Sequence, residues 1–171
     1  VDRGSNYQTI WKIREDPEGE NAHYAADSSR QLLYFGDNTF TDFTLEVDIA
    51  LAKATGTSNA AGILLRGGNY AGTNDIGNFA IQGYYLAIYE GSTALVRVNY
   101  GETIVVASVP INSEVNTYYN IRAVVRGNSI TIYRNDEAII NYTDAYAFVS
   151  GRIGLYTTGA ASYYKNLAVF A

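Results

Sequence analysis

The chain has no cysteine and no methionine, a single histidine and only three lysines in 171 residues. Without cysteine there is no disulfide framework, no thiolate metal site and no thiol nucleophile. The lone histidine, His23, has no second histidine or cysteine beside which to hold zinc and no partners for a serine triad, so it reads as a loop residue. Three lysines and nine arginines against a net charge of −5 leave no basic stripe to neutralise phosphates, which excludes nucleic acid as a partner. The longest apolar stretches, such as Ile104 to Pro110, are too short to cross a bilayer as a helix, and no charged-then-apolar signal segment opens the chain. A soluble domain with no membrane partner is expected. Gly67-Gly68 and Gly72 do not stand between a strand and a helix at phosphate-binding spacing, which argues against a nucleotide site. With no methionine, Val1 is not a translation start, and a processed protein or a module of a longer one is expected. An acidic, cysteine-free composition rich in Tyr, Asn, Thr and Gly suits a secreted or cell-surface protein of a Gram-positive bacterium.

What the chain has in abundance is tyrosine. Sixteen residues are tyrosine, most of them inside short alternating runs of Val, Ile, Leu and Thr. Tyrosine carries a flat apolar face and a hydroxyl at its rim, so on an open sheet it suits a sugar, whose ring has a C–H face and hydroxyl edges. It also has high strand propensity, and most of the sixteen rings are expected to be packing residues.

Period-two patterning recurs between turn clusters, whereas helical periodicity is hard to find. Gln8 to Arg14 reads as the first strand, with Ile10 and Trp11 turned inward, followed by a turn over Asp16 to Asn21. Leu32 to Phe35 is a second strand, after which Gly36, Asp37 and Asn38 turn the chain. Phe43 to Ala50 alternates cleanly, Phe43, Leu45, Val47 and Ile49 facing one way and Thr44, Glu46 and Asp48 the other. Ala61 to Arg66 is a strand leading into Gly67 to Gly77, the longest stretch without structure and a natural flank for a ligand site. Tyr84 to Tyr89 and Ala94 to Val98 form a hairpin, and Thr103 to Val109 and Tyr118 to Val125 are two further strands. Ile130 to Arg134, Ala138 to Tyr142, Gly151 to Thr157 and Tyr163 to Phe170 complete about a dozen strands. The pattern predicts an all-β single domain over 1–171, a two-sheet antiparallel β-sandwich.

Several stretches resemble a known family. Phe40-Thr41-Asp42-Phe43-Thr44-Leu45-Glu46-Val47-Asp48, Ala61-Gly62-Ile63-Leu64-Leu65-Arg66, Gly83-Tyr84-Tyr85-Leu86-Ala87-Ile88, Gly151-Arg152-Ile153-Gly154-Leu155-Tyr156 and Tyr164-Lys165-Asn166-Leu167-Ala168-Val169 are similar to family 66 carbohydrate-binding modules and their relatives. They span most of the chain from residue 40 onward. The family usually has Phe-Asp-Asn where this chain has Tyr164-Lys165-Asn166. The resemblance implies a concanavalin-like (laminin G-like) jelly roll and extracellular glycan binding, often beside a glycoside hydrolase domain. In the fructan-binding family a charged pocket recognises a terminal sugar, and the resemblance carries Glu46 and Arg66 into that role.

The residues themselves support two readings at each position. Glu46 and Asp48, two apart on one strand, project from the same face. They are either ligand acceptors or a solvated pair. Jelly-roll hydrolases of family 16 add a third carboxylate to such a strand, and here Ala50 and Leu51 stand in those places. A pair on one strand also lies on one side of a substrate, where retaining hydrolysis needs carboxyls across the scissile bond. No catalytic residue is therefore assigned. Arg66 either offers its planar fork to sugar hydroxyls with Glu46 accepting from others, or forms a cross-strand pair with Glu46. Tyr85 and Tyr89 share the face opposite core-facing Tyr84, Leu86 and Ile88, and with Tyr156 they are the candidate stacking rings. Asp16, Glu18 and Glu20 alternate in a turn and offer oxygens to calcium, without the glycine and terminal Glu of an EF-hand. The expected function is a non-catalytic module holding a tethered, secreted glycoside hydrolase on polysaccharide. The rivals are a jelly-roll hydrolase or lyase domain and a laminin G-like adhesin.

Overall fold

The computed structural model describes residues 11–25, 30–56, 58–68 and 81–171, and arranges them as two antiparallel sheets packed face to face. The seven-stranded sheet is built from β1 (Trp11–Glu15), β2 (Asn21–Ala25), β4 (Phe43–Leu51), β9 (Tyr119–Arg126), β10 (Ser129–Arg134), β11 (Glu137–Thr143) and β13 (Ser162–Phe170). Their spatial order is β1-β2-β13-β4-β9-β10-β11. The six-stranded sheet takes β3 (Arg30–Phe40), β5 (Ala61–Gly68), β6 (Gln82–Ile88), β7 (Ser92–Asn99), β8 (Glu102–Pro110) and β12 (Gly151–Thr158). Their order is β3-β12-β5-β6-β7-β8. The last two strands of the chain thus enter the middle of opposite sheets, which places β4 beside β13 and β5 beside β12 at the centre of the sandwich. This is the expected concanavalin-like jelly roll.

Alternation explains why these segments extend and which side they bury. In β4, Phe43, Leu45, Val47 and Ile49 are buried against the other sheet while Thr44, Glu46 and Asp48 are half-exposed on the outer face. The inner faces of β5, β6 and β12 contribute Ile63, Leu65, Tyr84, Leu86, Ile153 and Leu155 to the same core. Strand β5 is buried along its whole length, because its other face is covered as well. Three sequence expectations are corrected. Gly36-Asp37-Asn38 does not turn the chain; β3 runs through it, and the turn chemistry appears as a register shift against β12, where Phe35 pairs with Ile153 and Phe40 with Gly151. His23 is not in a loop but in β2, opposite Ile13 and Tyr164. Gly67 and Gly68 belong to β5; the rest of the expected 67–77 loop, like residues 8–10 of the first expected strand, lies outside the described residues.

The two sheets are pinned by buried polar side chains. Tyr164, on β13, crosses to the other sheet, where its hydroxyl donates to Tyr156 O at 2.8 Å and accepts from Gly62 N at 3.2 Å. Arg66 makes the larger connection from β5. Its alternation places it on the outer face, but a register shift against β6 follows Leu65, and Arg66 takes a left-handed backbone conformation at φ 50°. The guanidinium then turns into the end of the sandwich. Nε and Nη2 donate to Thr41 O, Nη1 to Gly127 O at 2.7 Å and Phe148 O at 2.8 Å, and Nη2 reaches Asp42 Oδ1 at 3.4 Å. Every N–H donor of the group is used on the protein. Glycine makes room for this bulge. A Cβ on Gly151 would lie 2.4 Å from the Arg66 carbonyl carbon, and Gly83, at φ 153°, would place one 2.9 Å from Gly67 Cα.

Because Arg66 is 2 % exposed, its removal strands three carbonyls at the sandwich end. Arg66→Ala is expected to lower the unfolding free energy in urea by about 3 kcal/mol or more, since one buried group left unpaired costs about 1–3 kcal/mol. Gly151→Ala is expected to destabilise as well, through backbone displacement. A folded Arg66→Ala protein with an unchanged urea midpoint would contradict the pin.

Candidate functional site

The structure separates the sequence candidates onto opposite sides of the molecule. Glu46 and Asp48 lie on the outer face of the seven-stranded sheet, Tyr85, Tyr89 and Tyr156 on the outer side of the six-stranded sheet, and Arg66 between the sheets at one end. Arg66 does not meet Glu46, and neither the expected sugar fork nor the expected cross-strand pair forms. The tyrosine phase is as expected: Tyr84 faces the core and Tyr85 faces away. Yet facing away does not expose Tyr85, which is 8 % exposed, or Tyr156, at 1 %. They pack against each other, ring centroids 4.7 Å apart, within a second apolar cluster that includes Leu32, Tyr34, Leu64 and Val96. Tyr89 is half-buried at its margin. Periodicity distinguishes the two faces of a strand and says nothing of what lies above each face.

The open polar surface is the outer face of the seven-stranded sheet. At its centre the Asn120 side chain, on β9, donates from Nδ2 to Glu46 Oε1 at 3.0 Å and Asp48 Oδ1 at 2.9 Å. Asn166, in the β13 bulge, donates to the other Asp48 oxygen at 2.8 Å. Glu46 stands opposite Arg122 in the sheet, whose guanidinium lies 4.4 Å from the Tyr133 ring centroid and bonds Asp136 at 3.0 Å. Toward the other edge Tyr24 and Tyr163 pair at 5.1 Å, with Arg14 4.7 Å over Tyr24. Glu46, Asp48, Asn120, Arg122, Tyr24, Tyr133 and Tyr163 are all half-exposed. This face therefore presents carboxylate acceptors held by the Asn120 amide, guanidinium donors and aromatic rings together. Sequence reasoning reached only its two carboxylates. Tyr163 was within reach, since period two from buried Tyr164 turns it outward.

Between these patches sits Lys165. Its ammonium contacts Glu18 at 2.7 Å, Glu20 at 2.8 Å and buried Asp16 at 3.0 Å, and lies 4.2 Å from the Tyr118 ring centroid. Tyr118 also donates its hydroxyl to Asp16 at 2.7 Å. The three carboxylates expected to offer oxygens to calcium do converge, with ligand atoms within 4.8 Å of one another. A lysine ammonium from the same chain occupies their centre. Burial alone would raise the Asp16 carboxyl, but the Tyr118 hydroxyl, the Glu20 and Glu18 amides and Lys165 outweigh it and hold the group well below the ordinary carboxylate range. Burial would lower Lys165, and the three carboxylates reverse this and raise it.

With the geometry established, comparison places the chain. A family described as the 3-keto-alpha-glucoside-1,2-lyase-like domain matches residues 4–169. The chain belongs to this family. No curated protein sequence matches it. A family 66 carbohydrate-binding module from Bacillus subtilis superposes with a TM-score of 0.74 at 19 % identity, covering 95 % of this chain and 91 % of that one. A Bacillus subtilis protein of unknown function with a galectin-like fold gives 0.71 at 11 % identity, over 94 % and 86 % of the two chains. Alginate lyase A1-II′, of polysaccharide lyase family 7, gives 0.62 at 13 % identity over 92 % and 82 %. At such identities these similarities establish the fold.

The Asp16 geometry has a pH consequence. A carboxyl whose folded pKa is depressed contributes stability that is present above its unfolded value of about 3.9 and is lost as pH falls toward the folded value. Asp16→Asn is expected to be less stable than the parent at neutral pH and to show a flatter loss of stability below about pH 4. Urea midpoints measured from pH 7 to pH 2 check both parts. Lys165→Ala is expected to lower the melting temperature, whereas adding calcium to the parent protein leaves it unchanged, because the cage already holds a cation.

Proposed function

We propose that this domain binds carbohydrate on the outer face of its seven-stranded sheet without cleaving it. The observation that carries the reading is the half-exposed group of Glu46, Asp48, Asn120, Arg122 and Tyr133, which offers acceptors, donors and a ring edge on one open surface. Hydroxyls of a sugar lying there accept from the Arg122 guanidinium and donate to the carboxylates, which Asn120 holds in place, and Tyr133, Tyr24 and Tyr163 supply ring faces. The similarity to the family 66 carbohydrate-binding module supports the reading. The carboxylate geometry supports its non-catalytic half. Glu46 and Asp48 share one amide donor, so they stand side by side rather than across a glycosidic bond, and the neighbouring Ala50 and Leu51 are buried apolar residues. Attachment to a secreted glycoside hydrolase, and a place outside a Gram-positive cell, complete the proposal.

A second reading follows from the family, whose description names a lyase of 3-keto-α-glucosides. In it the chain is itself a lyase or hydrolase domain.

A glycan array identifies the ligand, and titration with the sugar that binds then separates the readings. Asn120→Ala and Arg122→Ala are expected to weaken binding roughly 10- to 100-fold, the worth of a hydrogen bond to a charged group, while the melting temperature moves by only a few degrees. The parent protein is expected to release no product from the bound glycan or from a 3-keto-α-glucoside on long incubation. Turnover that disappears in Glu46→Gln would replace the binding reading with the enzymatic one, and unchanged affinity in both folded variants would remove this face from the site.

A further inference from the structure

Each of the two open sheets ends in two edge strands, β1 and β11 on one, β3 and β8 on the other. An edge strand presents a row of unpaired N–H and C=O groups to any extended chain, and proteins commonly guard it with charge. Strand β1 carries Lys12, Arg14 and Glu15 in five residues, and β3 includes Arg30 and Asp37. In β11 the exposed side chains are Glu137, Ala138, Asn141 and Thr143, while Ile140 is buried. Strand β8 lacks such a guard. Between Glu102 at its start and Pro110 at its end it has no charged residue.

The first half of β8 is open on both faces. Ile104 pairs with Arg97 and Val105 with Val96. Arg97 stands opposite core-facing Tyr84, and Val96 belongs to the outer apolar cluster, so Ile104 and Val105 point to opposite sides of the sheet. They are nevertheless 57 % and 61 % exposed. Tyr100, in the turn before β8, is exposed too, as is Tyr146, whose carbonyl accepts from Arg97 at 2.9 Å. These four make up more than half of the large apolar side chains exposed among the described residues, and they gather about one edge. Scattered apolar side chains on a surface call for no explanation, but a gathered set on an unpaired strand marks an interaction site.

The strand that fits this edge is extended, β-branched and uncharged, and β8 is itself such a strand. The chain's net charge of −5 opposes the approach of two copies, so a seam between them has to keep carboxylates apart. Strand β8 does so. Laid antiparallel on itself about Val106, it sets Thr103 opposite Val109, Ile104 opposite Ser108 and Val105 opposite Ala107, all uncharged. The two Glu102 residues then lie about 26 Å apart, at about 3.3 Å per residue, well beyond the screening length of about 8 Å. The register shift against β7, at Val106, falls on the axis and leaves an arm of β8 on either side to pair. We propose that two copies of this chain associate through β8, antiparallel about a two-fold axis at Val106, joining their six-stranded sheets into one continuous sheet. The axis stands perpendicular to the sheet, so both seven-stranded sheets turn their outer faces to the same side. The association does not depend on carbohydrate binding; where that reading holds, the dimer engages a polysaccharide at two points.

Analytical ultracentrifugation of the protein over roughly a hundredfold range of concentration reads the association directly. The weight-average mass is expected to climb from the monomer's 18.7 kDa toward twice that value. Val105→Lys and Ile104→Lys each place a cation on the seam from both copies, and each is expected to weaken association about tenfold or more. Because both side chains are exposed, the melting temperature at low concentration should stay within a few degrees of the parent's. Asn141→Lys makes the same change of charge on the edge strand β11 and is expected to leave association unaltered. A constant 18.7 kDa at every concentration, undiminished association in the folded Val105→Lys and Ile104→Lys proteins, or an equal loss in Asn141→Lys would overturn the proposal.

Discussion

One guanidinium at the end of the sandwich, spent entirely on protein acceptors, sets the geometry around it. Two sheets stacked through apolar side chains can slide, because hydrophobic contact has no direction. Directional bonds remove that freedom. Arg66 reaches from β5 to the β3–β4 connection, the β9–β10 turn and the segment before β12, tying the six-stranded sheet to one turn of the seven-stranded sheet and to two connections that run between the sheets. Four residues earlier on β5, Gly62 donates to the Tyr164 hydroxyl, so the same strand is fixed at two heights. The left-handed backbone at Arg66 is the local cost, of the order of 1–3 kcal/mol for a non-glycine residue, and the surrounding hydrogen bonds offset it. A neighbouring network does similar work for residues 144–150. Buried Asp144 accepts from Tyr84 at 2.6 Å and Arg97 at 2.8 Å, and Phe148 N donates to the Tyr84 hydroxyl at 3.2 Å.

With the sheets held in this way, their outer faces divide the labour. The six-stranded sheet carries an apolar cluster on its outer side, and the tyrosines there bury their rings. The seven-stranded sheet leaves its outer side polar and half-exposed, and its hydroxyl-matching groups form bonds with one another that hold their orientation in the absence of ligand. Preorganisation of this kind lowers the ordering cost when a hydroxyl-rich ligand displaces water from the surface. The Lys165 cage anchors the β1–β2 turn to β13 and to Tyr118 just before β9, and it does so beside Asp48 in the sheet. A structural charge cluster and the candidate binding surface are thus contiguous. The β13 bulge at Asn166 joins the two, bringing its amide to Asp48 beside Lys165.

Much of the architecture was legible in residue order. The strict alternation of Phe43 to Ala50 specified both the strand and its buried side, and the Tyr84/Tyr85 phase was read correctly from the same rule. Glycine and asparagine between alternating runs located the turns that lead into β7, β10 and β11. Where turn chemistry and strand compete, the rule failed. Gly36-Asp37-Asn38 has turn composition, yet pairing with β12 on either side carries the strand through it as an irregularity. The short run Asn21–Ala25 has little β-branched character, and it is a strand because β1 and β13 pair with it on both edges.

The candidate site was less legible, for a physical reason. Composition and periodicity determined an all-β sandwich, its inner faces, and the fact that Glu46 and Asp48 share a side. Which outer face is covered, and which residues from distant strands meet, depends on sheet order, and sheet order is a long-range property. Arg66 follows the alternation of its strand up to Leu65 and then departs from it, because a bulge and two close-packed glycines let its donors find carbonyls 25, 61 and 82 residues away in the chain. Asn120 meets Glu46 and Asp48 across 74 and 72 residues only because β9 lies beside β4. Local pattern thus settled which side of each strand is apolar; the tertiary structure alone decided what covers the other side and which polar groups it brings together.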